Sequence, residues 1–303
     1  MTGKFKKFIY RIKYKLFLYL NIKQWLVAYR LRKSGKLFYL DELKEKFNNQ
    51  DVFAFGTGGS VDNLNNFERL SQKNTMFLTT GPLFCYLKYG FIPNMWFVHN
   101  PPSVESLIME AENMNVMKNL DFSNTLIFIP SNSSDSKDIH FSSPTFIKFR
   151  KMIKDQAIFV LYKERYKGCL PDSDNLNDFM SSKYPIIPLI GSGVENIFIP
   201  FLHYIGVKNI FFSGVDHMDT GHFWDRTRHY QELDGTIRNF QEIQANKFIY
   251  ECGRVARKKC KEKGINVYRL EKEETILQDY EYIDFDKAFS LATRKITLQD
   301  LRF

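Results

Sequence analysis

From residue 51 onward, short apolar clusters alternate with longer segments of helical spacing. β-rich runs stand at Val52–Phe55, Met76–Leu78, Trp96–Val98, Leu126–Ile129, Ile158–Leu161, Ile210–Phe212 and Val267–Tyr268. Stretches between them, such as Leu83–Tyr89, Val104–Met117 and Gln241–Lys261, place apolar residues three or four apart, the period of a helix lying on a core. This alternation predicts parallel βαβ units and a Rossmann-like α/β fold with a doubly wound, mostly parallel sheet. It divides the chain into an arm (1–48), an α/β body (49–270) and a C-terminal appendage (271–303). Residues 163–188 are polar and weakly periodic, and they form a candidate lid between a strand and the Gly191 turn.

The arm has its own pattern. Phe5, Phe8, Ile9, Ile12, Leu16 and Leu20 line one helical face, while Lys4, Lys6, Lys7, Arg11, Lys13 and Lys15 fill much of the rest. Ile22, Trp25, Leu26 and Tyr29 continue the apolar side, followed by Arg30, Arg32 and Lys33. A basic amphipathic helix with aromatics suits a membrane interface, where each cation near an anionic leaflet contributes roughly 1 kcal/mol. A solvated helix docked on the body is the other reading. The arm does not span a bilayer, because no run approaches the ~18 apolar residues needed. It is also a poor secretory signal, since charges interrupt its apolar stretch.

Charge follows the same boundary. Residues 1–48 hold thirteen Lys/Arg and three Asp/Glu, so they carry +10 of a net +9 and leave the remaining 255 residues at −1. A neutral body argues against a nucleic-acid partner. The four cysteines, Cys85, Cys169, Cys252 and Cys260, form no CxxC pair, which speaks against a disulfide framework or a zinc site and for a reducing cytoplasm.

Candidate chemistry gathers where strands end. Gly56-Thr57-Gly58-Gly59-Ser60 follows a strand and precedes a predicted helix, so its backbone could receive a phosphate; a tight structural turn explains it as well. Asn100, within His99-Asn100-Pro101-Pro102-Ser103, offers donors and acceptors at a strand end, or else starts a turn. Ser131 and Asn132 repeat the theme. Gly191-Ser192-Gly193 opens an apolar helical segment. The strand Ile210–Ser213 then leads through Gly214-Val215-Asp216 into a loop holding His217, Asp219, His222, Asp225, Arg226, Arg228 and His229. A neutral imidazole there could take a proton from an acceptor hydroxyl. His203, in an apolar helical run, reads as structural. Asp172-Ser173-Asp174 has the DxD spacing that binds Mn²⁺ or Mg²⁺ in many sugar-nucleotide enzymes, but Asp-rich turns are common in such Pro/Asn-rich loops, so metal ranks second.

Over about residues 51–270 these segments, in order, resemble the bacterial sialyltransferases of glycosyltransferase family 42 and related sugar-transferase domains. The family's Gly-Asn-Gly-Pro-Ser turn is matched by Gly56 to Ser60, its strand and Asn-Pro-Ser by Phe97 to Ser103, and its Leu-Ile-x-x-Ser-Asn by Leu126 to Asn132 with one extra residue. Thr-Ser-Gly-Val is matched by Gly191 to Val194. The most specific match is Gly-Tyr-Lys-x-Ile-x-x-Ser-Gly-Ile-Asp with Gly206-Val207-Lys208-Asn209-Ile210-Phe211-Phe212-Ser213-Gly214-Val215-Asp216.

The resemblance implies a GT-A-like sheet and a CMP-sugar held by Gly56, Thr57, Gly58, Ser60, Asn100, Ser131, Asn132, Ser192 and Gly193. It implies inverting transfer without a metal or other cofactor, with His229 or His222 as general base beside Asp216. Departures are visible. Met218 replaces a tyrosine, and Phe223 or His222 a second one, leaving Arg226, Arg228 and Tyr230 to assist the departing phosphate. Pro200 interrupts a helix that the family keeps unbroken. A sialic-acid donor therefore does not follow. The sequence reads as a peripheral glycosyltransferase of lipopolysaccharide or capsule assembly on the inner face of the cytoplasmic membrane. Its partners would be a nucleotide sugar, a saccharide or glycolipid acceptor, and further copies of itself in a homo-oligomer. The alternatives are a pyrophosphokinase-like or methyl-transferring enzyme, and a non-catalytic scaffold with a degenerate pocket.

Overall fold

Alternate residues of the predicted strands belong to two separate cores. In the computed structural model Phe53, Phe77, Trp96, Ile127, Phe159 and Phe211 share one apolar cluster, while Val52, Ala54, Met76, Phe97, Phe128 and Phe212 share another. Successive strand side chains point to opposite faces, so a sheet buried on both faces reads as a continuous apolar run. The structure describes residues 26–44, 46–78, 81–98, 120–130, 144–154, 156–166, 186–189, 194–215, 261–262, 264–272, 280–297 and 299–301.

Ten strands are described: β1 (Leu37–Tyr39), β2 (Asp51–Phe55), β3 (Thr75–Leu78), β4 (Met95–Phe97), β5 (Leu126–Pro130), β6 (Ile158–Tyr166), β7 (Ile186–Leu189), β8 (Asn209–Ser213), β9 (Asn266–Arg269) and β10 (Glu281–Tyr282). Nine run in the order β1-β6-β5-β4-β3-β2-β8-β9-β10, and β7 pairs with the outer part of β6. Every pairing is parallel. From β2 the sheet grows through β3 to β6 on one side and through β8 to β10 on the other, which puts the topological switch point between β2 and β8. The seven predicted strands are all present. β1, β7 and β10 are additions, and β6 and β7 take up both ends of the candidate lid, whose central part lies outside the described residues.

Helices cover both faces. On the first lie α1 (residues 26–33), α2 (Gly81–Tyr89), α3 (Pro144–Met152) and α5 (Phe285–Leu291), through residues such as Leu31, Leu83, Phe149 and Ala288. On the second lies α4 (Val194–Tyr204), through Phe198, Ile199, Phe201 and Leu202. α4 runs on through Pro200, contrary to the sequence expectation of a break. An interior proline costs ~3 kcal/mol or more, and four fully buried apolar side chains around it outweigh that cost. Phe201 packs edge-on to Phe97 and Phe128, with ring centres 5.5 and 4.6 Å away. The predicted helices Val104–Met117 and Gln241–Lys261 lie outside the described residues, apart from Lys261.

Within the span read as an arm, Leu31, Leu37, Leu40, Leu43 and Phe47 are at most 4% exposed, so these side chains pack into the body. α1 caps at Gly35 (φ +66) and reverses into β1, with Lys36 donating its N–H to the Leu31 carbonyl at 2.8 Å. Its inner side carries Val27, Ala28 and Leu31, while Leu26 (40% exposed) and Tyr29 (53%) face outward with Arg30 and Lys33. The outward residues stay exposed on a helix that is docked through its other side.

The amino ends of the central strands are closed from far along the chain. Asp51, 4% exposed, accepts from Asn209 Nδ2 at 2.6 Å and from the Thr293 N–H at 2.9 Å. Asn74 Oδ1 accepts from Asn94 Nδ2 and from the Ile296 N–H. The segment after α5 thus seals one edge of the sheet and leaves the carboxyl edge for ligands. No helix among the described residues is long and apolar enough to cross a membrane.

Candidate functional site

β2 and β8 lie in register, with Phe55 opposite Ser213, and their ladder continues into the turns beyond them. The Gly56 N–H donates to the Ser213 carbonyl at 2.9 Å and the Gly58 N–H to the Gly214 carbonyl at 2.8 Å. The glycine turn after β2 is therefore laced to the turn after β8, directly over the switch point, where open α/β sheets form their ligand crevice. Two of the amides that sequence reasoning offered to a phosphate are engaged in this lacing. The chain that follows is also not the expected α-helix. Gly59–Asn63 and Phe67–Gln72 are 3₁₀ turns, and the polar sequence Ser60–Asn66 has little helix propensity to extend them.

Gly214 makes the lacing possible. Its φ is +73, and a Cβ there would stand 2.6 Å from Val61 Cγ2 and 3.0 Å from the Gly56 carbonyl oxygen. Only glycine gives both the left-handed backbone and this approach.

A carboxylate that sequence reasoning missed ties the two turns together. Glu271, two residues beyond β9 and 5% exposed, accepts from the Gly214 N–H at 2.8 Å and from Ser60 Oγ at 2.9 Å, both on Oε1. Its other oxygen, Oε2, and the Ser213 hydroxyl are buried without a well-formed hydrogen bond. Burial pushes the Glu271 carboxyl up from its ordinary range, against the pull of Ser213, Gly214 and Ser60, which favour the charged form. A proton on Oε2 would give the Ser213 oxygen a donor. Arg269 Nη1 holds the Glu271 carbonyl, and the Leu270 N–H bonds Phe212 O at 2.9 Å. In the sequence Glu271 is one acid in an acid- and lysine-rich stretch; its place just past a strand's carboxyl end was the available signal.

From the β3 side, Asp62 anchors the same segment. Lys88 pairs with it, and Tyr89 OH donates to it at 3.0 Å. Burial, the Asp62 charge and that hydrogen bond raise the Tyr89 phenol well above its usual range, so it stays a donor.

Of the sequence-predicted site residues, Gly56, Thr57, Gly58 and Ser60 are described and stand at the switch point. Asn100, Ser131, Asn132, Ser192, Gly193, Asp216, His222, Arg226, Arg228, His229 and Tyr230 lie outside the described residues, as do Asp172 and Asp174. The strands leading toward several of them, β4, β5 and β8, end at the same edge of the sheet as β2, because all pair in parallel. Among the described residues no cluster of His, Cys, Asp and Glu could hold a metal ion. His203 lies in α4. Cys85 is a free, buried thiol that desolvation pushes up, which makes it a poor nucleophile.

No family model matches the chain, and no curated protein matches it either. Among solved structures it is similar to a point variant of the sialyltransferase CST-II in complex with CMP, at 15% identity, over 82% of this chain and 91% of that one, with a TM-score of 0.45. CstII from Campylobacter jejuni with the substrate analogue CMP-3FNeuAc shares 16% identity over 82% and 91%, with a TM-score of 0.40. An α-2,3-sialyltransferase from Campylobacter jejuni in apo form shares 16% over 84% and 89%, with a TM-score of 0.43. At these identities the chain's resemblance to such sialyltransferases is remote.

Proposed function

We propose that this chain is a glycosyltransferase, taking a sugar from a CMP-linked nucleotide donor and passing it to a surface-glycan or lipid-linked acceptor at a membrane. The observation that carries the reading is the glycine turn after β2 laced to the end of β8 over the switch point. Small residues there let a nucleotide approach backbone, and Ser60 lies beside it. In this reading Thr57, Asn100, Ser131, Asn132, Ser192 and Gly193 complete the nucleotide contacts. His229 or His222 takes the acceptor proton beside Asp216, and Arg226, Arg228 and Tyr230 receive the charge of the departing phosphate. Donors held in advance around that charge replace a cation, so the reaction runs without Mg²⁺ or Mn²⁺.

The outward side of α1 supports the membrane part. Leu26, Tyr29, Arg30 and Lys33 continue the pattern of the basic residues upstream.

Thermal stability measured with CMP, UDP, GDP and ATP, with and without Mg²⁺, tests the reading, since a ligand that binds the folded state raises the melting temperature. Selective, metal-independent stabilisation by CMP is expected. A metal-dependent UDP or GDP response moves the donor class and revives Asp172 and Asp174; selective stabilisation by ATP refutes the glycosyltransferase assignment. With the donor known, unchanged turnover in both His222→Ala and His229→Ala rules out a histidine base.

A further inference from the structure

Next to the laced turns a cavity of about 210 Å³ opens between the Gly59–Asn63 segment, the end of β9 and the turn from β10 into α5. Among the described residues its polar lining includes Asn63, Asn65, Glu271, Lys272, Tyr282 and Asp284, over a floor of Leu64, Leu270 and Phe285. It shares Ser60 with the crevice but lies toward β9 and β10, away from β3 to β6. Pockets for drug-sized ligands span roughly 300–1,000 Å³, so this one fits a single ring and excludes a nucleotide.

Its charge narrows the ligand further. Glu271, Asp284 and Asp286 line it against Lys272. Asp284 accepts from the Asp286 and Lys287 amides, and Asp286 pairs with Arg69. Glu271 is 5% exposed, and one of its oxygens is buried without a partner. A phosphate or sugar acid would meet these carboxylates at a cost, while an uncharged polyol would not. The two asparagine amides each present donors and an acceptor, which suits vicinal hydroxyls. The Tyr282 ring, with the Arg269 guanidinium 5.4 Å from its centre, gives a braced aromatic surface for the apolar side of a sugar.

We infer that this cavity is a subsite for one uncharged hexose or N-acetylhexosamine unit, held apart from the reacting centre as a non-reacting part of the glycan being extended. Its place in catalysis rests on the glycosyltransferase reading; its binding chemistry does not. An acceptor would then be gripped at two points, and specificity for its inner sugars would reside in Asn63, Asn65 and Tyr282.

Saturation-transfer NMR on the full chain, with the methyl glycosides of glucose, galactose and N-acetylglucosamine and with N-acetylneuraminic acid and inorganic phosphate for comparison, tests this. At least one neutral glycoside should bind better than either anion. Asn63→Leu and Tyr282→Ala, both at exposed positions, should weaken it about fivefold or more while leaving the melting temperature and the CMP response unchanged. Failure of every neutral glycoside, preference for the anions, or indifference to both substitutions in folded protein overturns the inference. Glycoside binding without any CMP response would sink the donor reading and leave the subsite standing; the reverse pattern would sink the subsite alone.

Discussion

Replacing Gly214 by alanine tests the lacing of β2 to β8 most directly. Two costs combine at this position. A left-handed backbone costs an L-residue roughly 1–2 kcal/mol, and forcing a methyl into packed surroundings typically costs about 1–3 kcal/mol. The second applies because the new Cβ would stand 2.6 Å from Val61 Cγ2 and 3.0 Å from the Gly56 carbonyl. Val61 can turn aside, but the carbonyl belongs to backbone held by β8. The expected loss is ~2–5 kcal/mol, a large share of the ~5–15 kcal/mol that holds a domain folded. At about 2 °C per kcal/mol for a long chain, the melting temperature should fall by about 4–10 °C. Gly35→Ala is the control: φ is +66 there too, yet nothing lies within 4 Å of the added Cβ. It should lose only the backbone share, about 2–4 °C. Differential scanning calorimetry of both variants, and of Gly214→Ala combined with Val61→Ala, separates the terms. Measured against Val61→Ala alone, adding Gly214→Ala should cost less than it does in the wild-type background. If Gly214→Ala loses no more than Gly35→Ala, the two turns are not packed as described.

The buried carboxylate gives a pH signature. Glu271 has a raised pKa in the folded protein, so as pH climbs above the usual carboxylate range the unfolded chain ionises first and stability drains away until the folded-state pKa is passed. Glu271→Gln keeps an acceptor for Ser60 and Gly214 and gains a donor for Ser213, so its stability relative to wild type should improve between pH 4 and pH 7. A pH-independent difference in melting temperature would contradict that. At the opposite edge, Asp51→Ala strands the Asn209 amide and the Thr293 N–H; it should cost about 2 kcal/mol or more and lower the denaturant midpoint. An unchanged midpoint would show that the C-terminal segment is not clamped there.

The seven strands legible in the sequence are those whose consecutive apolar residues, two to five in a run, serve two cores at once. β7 escaped because Pro188 interrupts its apolar run; β1 and β10 escaped because they hold three and two residues, and Glu281 and Tyr282 are both exposed. α5 had a readable start in Asp284, whose side chain caps the Asp286 and Lys287 amides ahead of Phe285, Ala288 and Phe289. Its seven residues fell below the length at which helical spacing stands out. At the site, Gly56 to Ser60 was found because glycine marks backbone need locally. Glu271 was not, because its burial is set by Ser60 and Gly214, 211 and 57 positions away in sequence. The 3₁₀ turns after Ser60 defeated the helix expectation for a similar reason: Asp62 is held by Lys88 and Tyr89 of α2, contacts that no local pattern announces.

The strand order also sets a timetable for biosynthesis. β2, all five of its residues buried in the finished fold, finds β3 soon after it is made, but its other flank stays open until β8 follows. Throughout that interval the nascent chain carries an unpaired apolar edge, the kind of surface that recruits chaperones or neighbouring chains. The crevice cannot exist before β8 closes that edge. The clamp at Asp51 comes later still, once Thr293 has been made. A chain that stalls late would therefore have a nearly complete sheet with its amino edge unlatched, exposed to proteolysis before it could act.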